Sequence, residues 1–124
     1  MSDERNIRDF LEMAWQKARI IEGFDPDLFR QDACGAWIRK DLYGDIENMF
    51  GWGVDYIYPK SLGGTLIPEN IRALNYHNII SKGNDYPSYK AVFTSEGTKN
   101  NMTELYLTVN DIIRKQLKKI YPDA

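Results

Sequence analysis

Residues 51–85, GWGVDYIYPKSLGGTLIPENIRALNYHNIISKGND, decide how this chain folds. The order along them is a strand from Trp52 to Tyr58, a loop marked by Pro59 and Gly63-Gly64, a short strand around Ile71 to Leu74, and a polar helix from about Asn75 to Ser81. The rest of the chain reads as additions to that unit.

Downstream, Tyr89, Ala91 and Phe93 alternate with Lys90, Val92 and Thr94. SEGTKNN then supplies a loop, and Leu105, Leu107 and Val109 face Tyr106 and Thr108 across a pleat. This predicts a hairpin of Tyr89–Thr94 with Glu104–Val109. Asn110 suits the cap of a closing helix over Asp111–Tyr121, with Ile112, Ile113, Leu117 and Ile120 on one side; a helix starting at Thr103 is the competing reading. Upstream, Gly23 to Gly51 mixes aromatics with turn formers. Asp25-Pro26-Asp27 and Tyr43-Gly44-Asp45 read as turns and Ala36–Lys40 as a short extended segment. Phe29, Trp37, Tyr43, Phe50 and Trp52 suit a small core, or stacking on nucleobases. Arg30, Arg39 and Lys40 are offset by Asp32 and Asp41, so a solvated surface accounts for them. From Asp3 to Ile21, the apolar positions Ile7, Phe10, Leu11, Ala14, Ala18 and Ile21 recur at helical steps. An amphipathic helix is expected there, capped by Ser2 or Asp3 and stopped by Gly23 and Pro26.

At 124 residues and 43% hydrophobic content, the chain has the size of one α+β domain, residues 1–124, able to bury a core without staples. The net charge of -2 argues against a strong nucleic-acid binder, since phosphate contacts need a local excess of Lys and Arg. A single cysteine, Cys34, excludes an internal disulfide framework and a Cys-paired zinc knuckle, and points to a reducing setting. No apolar run approaches the 18 or so residues of a membrane span, and no signal-peptide core follows the charged N-terminus. A cytoplasmic protein without membrane association is the expectation.

Five segments, DACGAWIRK, YGD, GWGVDYIYPKSLGG, PENIRAL and SKGND, stand in the order and spacing of bacterial HNH-like proteins. By these motifs, which cover more than half the chain, the sequence resembles the HNH endonucleases and their ββα-metal fold. The resemblance implies an HNH-like ββα unit with core motif 51–85, extended by an N-terminal helix and a C-terminal hairpin plus helix. Working sites of that family hydrolyse phosphodiesters with a histidine base and one divalent metal.

Carried over residue by residue, the resemblance places Asp55 at the strand metal ligand, Tyr56 at the general base and Asn70 at the loop-bracing Asn. Asn75 and Ile79 fall on the two helix ligands. A phenol with a pKa near 10 is deprotonated in about one molecule in a thousand at neutral pH, so Tyr56 cannot match a histidine. Ile79 has no ligand atom, which leaves Asp55 and Asn75, with Asn78 as a nearby alternative, as a weak or vestigial metal set. Asp55 also reads as a strand-end carboxylate satisfied by backbone donors or by Tyr56. His77 is the alternative catalytic residue. A helix register moved by two residues would bring it into play, but two residues is about 200° of rotation.

Lys60, Arg72 and Lys82 lie where the resembled fold meets a nucleic-acid backbone, and ordinary solvation is the other reading. Arg114, Lys115, Lys118 and Lys119 form the clearest cationic cluster, a phosphate grip or a response to the helix dipole. The resemblance therefore implies a pseudoenzyme, a catalytically inactive nucleic-acid-binding or regulatory module that contacts DNA or RNA weakly and needs no cofactor. An active endonuclease with a rearranged site, using Mg, Mn or Zn, is the first alternative. A protein-interaction domain without nucleic acid is the second.

Overall fold

Among the described residues, six strands pair into three separate two-stranded antiparallel sheets, and three helices close around them. The computed structural model describes residues 6–124. The chain is an α+β fold in which β3 (Trp52–Tyr56) and β4 (Ile71–Asn75) pair with Trp52 opposite Asn75 and Tyr56 opposite Ile71. Helix α2 (Tyr76–Lys82) follows β4 without a break. Between the strands the chain turns through a 3-10 turn at Lys60–Leu62 and closes tightly at Gly64, where an added Cβ would stand 1.7 Å from the Tyr58 carbonyl oxygen. Only glycine fits that approach.

Strand β4 is buried along its whole length and separates two apolar clusters. One joins Phe10, Ala14 and Trp15 of α1 (Ile7–Gln16) to Ile38, Trp52, Ile71 and Ala73. The other joins Ile57, Tyr58 and Leu74 to Tyr89, Ala91, Val109 and Leu117. Because a strand turns successive side chains to opposite faces, Ile71 and Ala73 serve the first cluster and Leu74 the second. Arg72 shares the parity of Leu74.

Helix α1 is shorter than its periodicity predicts. Asn6 caps it, accepting from the Asp9 amide at 3.2 Å while Asp9 returns a 3.2 Å bond to the Asn6 amide; Ser2 and Asp3, the caps expected from sequence, lie outside the described residues. The helix stops at Gln16 because Arg19 leaves it to exchange backbone bonds with Gln31 at 2.7 and 3.0 Å. Arg30 makes that exit possible. Read as a surface cation, it is buried, and its guanidinium donates to the Pro26, Gln16 and Ala18 carbonyls at 2.8, 3.2 and 3.3 Å, occupying acceptors left open at the helix end.

Strands β1 (Phe29–Gln31) and β2 (Trp37–Arg39) form the smallest sheet. Strands β5 (Ser88–Glu96) and β6 (Lys99–Thr108) form a longer hairpin than expected, since SEGTKNN is mostly strand and only Gly97-Thr98 turns, with Gly97 at φ +60°. Helix α3 (Asp111–Ile120) starts where Asn110 accepts from the Ile113 amide at 2.9 Å and buries Leu117 completely. The alternative start at Thr103 is excluded by β6. Among the described residues no helix is long and apolar enough to cross a membrane.

Candidate functional site

The β3–β4 register sets Asp55 directly opposite Arg72, and α2 brings Lys82 over both. Asp55 Oδ2 accepts from Arg72 Nε at 3.0 Å, Oδ1 lies 3.3 Å from Lys82 Nζ, and the same ammonium donates to the Tyr56 carbonyl at 3.1 Å. The three residues are 5%, 8% and 1% exposed. Burial pulls the Lys82 ammonium below the usual lysine range against the attraction of Asp55. Burial also works against the Arg72 guanidinium, but the facing Asp55 charge prevails and raises it. Asp55 is thus satisfied by two cations, not by backbone donors or by the Tyr56 hydroxyl.

The amides expected around Asp55 are engaged elsewhere. Asn75 ends β4 and caps α2, where its expected place was within the helix. It accepts from the His77 amide at 3.0 Å and donates to the Trp37 and Met49 carbonyls at 3.2 and 2.7 Å. Asn78 accepts from the Val92 and Phe93 amides at 2.9 Å each and donates to the Phe93 carbonyl and to Asp32, alongside the register shift of the β5–β6 ladder between Ala91 and Phe93. Asn70 braces the loop, bonding both the Tyr58 amide and the Tyr58 and Thr65 carbonyls at 2.7, 3.1 and 3.1 Å. His77 stacks on Phe93 with ring centres 4.1 Å apart, and Ile79 packs against the second apolar cluster. Among the described residues no three His, Cys, Asp or Glu side chains gather as metal ligands.

The cations divide in two. Arg72 and Lys82, read from sequence as phosphate contacts, face inward because Asp55 holds them. Lys60 and the α3 residues Arg114, Lys115, Lys118 and Lys119 are exposed. Arg114, Lys115 and Lys118 line a groove of about 720 Å³ with Tyr58, Leu62 and Tyr86, in which Asp111, 3.4 Å from Arg114, and Asp123 supply opposite charge.

Sequence reasoning missed Asp32 and Asn100. Asp32 is fully buried, and Oδ1 accepts from the Cys34 and Ala36 amides at 2.9 and 2.8 Å while Oδ2 accepts from the Asn75 amide and Asn78 Nδ2 at 2.9 and 3.1 Å. Burial raises its carboxyl pKa, opposed by those four bonds. Asn100 clasps β2, accepting from the Trp37 amide at 2.7 Å and donating to the Trp37 and Met49 carbonyls at 2.9 and 2.8 Å. The Asp-Ala-Cys-Gly run carried the signal for Asp32, since an Asp two residues before a backbone donor and three before a glycine suits a side-chain-closed turn. Asn100 had none: it stands in a polar stretch that looks like loop. No family model, curated protein or solved structure matches this chain.

Proposed function

We propose that this chain is a catalytically inactive HNH-like module, retained for weak nucleic-acid binding or regulation. The observation that carries this reading is the Asp55 cluster. Where the resembled family keeps a divalent metal, the carboxylate has a guanidinium on one oxygen and an ammonium on the other. At an effective dielectric near 20, two unit charges about 4 Å apart interact by about 4 kcal/mol. A divalent ion would then meet repulsion of about 8 kcal/mol from each of two cations, and the attraction of one carboxylate offsets only one of them. The donor set around Asp55 does not fit such an ion, and Tyr56 beside it supplies no base. Support for the HNH-like scaffold comes from the β3–β4–α2 order, the tight Gly64 turn and the Asn70 brace. The groove of α3 places the half-buried Tyr86 beside three cations, an aromatic ring and phosphate contacts together.

Calorimetry and a plasmid assay test this. Magnesium, manganese and zinc should bind no tighter than about millimolar, the weak end of oxygen-ligand sites, and plasmid should stay intact. Retention on DNA should be weak and fall steeply with salt. Micromolar metal binding abolished by Asp55→Ala would sink the proposal in favour of a rearranged nuclease. A protein-interaction role has its own support, since Met102 and Tyr106 of β6 and Ile112 on α3 are 78%, 76% and 82% exposed. Absent DNA retention even at low salt would select that reading.

A further inference from the structure

The groove of about 720 Å³ beside α3 holds an aromatic ring that its neighbours fix in place. Tyr86 is half-buried there, and its ring meets the buried Tyr58 edge to face, with centres 5.2 Å apart and planes at 83°. Tyr58 in turn stacks on Tyr121 at 5.1 Å, and the Tyr121 hydroxyl accepts from the Thr65 amide at 3.0 Å. Pro87 and Leu62, the latter 49% exposed, extend the apolar wall. The charged lining is mixed. Arg114 faces Asp111 at 3.4 Å, Asp123 supplies a second carboxylate, and Lys115 and Lys118 have no ion pair among the described residues. Burial raises the Tyr86 phenol and the Arg114 charge works against that rise, so a cation stands near the ring.

We propose that this groove binds single-stranded DNA, with an unpaired base against Tyr86 and Leu62 and the flanking phosphates on Lys115 and Lys118. The inference rests on the reading of the chain as a weak nucleic-acid binder and narrows its ligand. Three cations against two carboxylates leave only a small positive excess. A duplex carries one negative charge per about 1.7 Å of axis and is gripped through its phosphates, so this excess holds it poorly. Its bases are also stacked inside the helix, out of reach of Tyr86. A single strand exposes the faces of its bases, and ring contact supplies what charge does not. Among the described residues the walls hold no Ser, Thr, Asn or Gln side chain to favour a ribose 2′-hydroxyl, so the deoxy strand satisfies them.

Fluorescence polarisation of the full chain at low salt tests this with three probes: a labelled thymidine oligonucleotide, the same strand annealed to its complement, and the matching ribo-oligonucleotide. The single DNA strand should bind at least about tenfold tighter than the duplex and no more weakly than the RNA. Tyr86→Leu keeps an apolar side chain against Tyr58 and removes the aromatic face. It should weaken the single strand about fivefold or more and leave the duplex unchanged. If that variant fails to fold, cross-linking decides: a strand carrying iodouracil, irradiated on the unaltered chain, should attach to Tyr86. A duplex bound within about tenfold of the single strand, RNA bound tighter than DNA, single-strand binding that survives Tyr86→Leu, or cross-links only outside the groove each overturn the inference and leave weak nucleic-acid binding standing. A response to none of the three probes overturns both.

Discussion

Asp32 and Asp55 are two buried carboxylates that meet β4 at its two ends, and they are held in opposite ways. Asp32 takes four hydrogen bonds from neutral donors, three of them backbone amides. Asp55 is held by two charged side chains and leaves one guanidinium nitrogen without a partner. A cage of neutral donors has no substitute, because removing the acceptor orphans fixed backbone groups. Charges held by other charges can be exchanged as a set for apolar side chains of similar size. The first arrangement locks the fold, and the second occupies a position that other chemistry could use.

The largest effect expected from this contrast is at Asp32. Asp32→Ala leaves four donors unmatched at about 1–3 kcal/mol each, which exhausts the stability of an ordinary domain, so circular dichroism should find no cooperatively folded state. A folded variant that loses less than about 2 kcal/mol would break the distinction. At the other end of β4, Asp55→Ala should cost about 3–5 kcal/mol in urea denaturation, since it strands two buried cations. Replacing all three members, Asp55→Leu with Arg72→Met and Lys82→Met, should return most of that loss. If the triple variant is as unstable as the single one, the ion pairs are as irreplaceable as the cage.

Cys34 and Tyr89 link the two regions. The Cys34 amide donates to Asp32, the Tyr89 ring faces Arg72, and the two side chains lie 3.9 Å apart. Burial raises both groups to about 12, from ordinary values of 9.0 and 10.0. For groups raised in the fold, the associated stability is complete below the ordinary values and is lost as pH climbs toward about 12. Denaturation midpoints should therefore hold at neutral pH and fall through the alkaline range, and Tyr89→Phe should flatten the fall. Smallest is the effect of Lys115→Glu with Lys118→Glu, which should move stability by no more than about 0.5 kcal/mol while reducing DNA retention at low salt.

What the sequence reveals follows the same division. The two strands and helix of residues 51–85 were legible because apolar runs and turn formers are local signals, and the closing helix because Asn110 caps a clear apolar stripe. The end of α1 was not, since Ala18 and Ile21 continue its period and only the distant Gln31 and Arg30 draw the chain away. The strand character of residues 99–104 was hidden for a related reason. Their polar side chains face outward except Asn100, and pairing with β5 decides their shape. At the site, Asp55, Arg72 and Lys82 were each singled out, but no spacing rule shows that an acid and two bases 17 and 27 positions away meet in the interior.

Among the described residues, three two-stranded sheets give each strand an open edge, and this shapes how the backbone exchanges its protons with solvent. In a broad sheet the slowest amides lie in central strands with neighbours on both sides; among the described residues there is no such strand. The deepest protection should fall instead on amides clasped by buried side chains: Trp37 by Asn100, Tyr58 by Asn70, and Phe93 by Asn78. These should exchange only when the whole domain opens, while neighbours within the same ladders exchange through local fraying. The slowest protons would then trace out the buried asparagines, of which Asn100 ties β6 to β2.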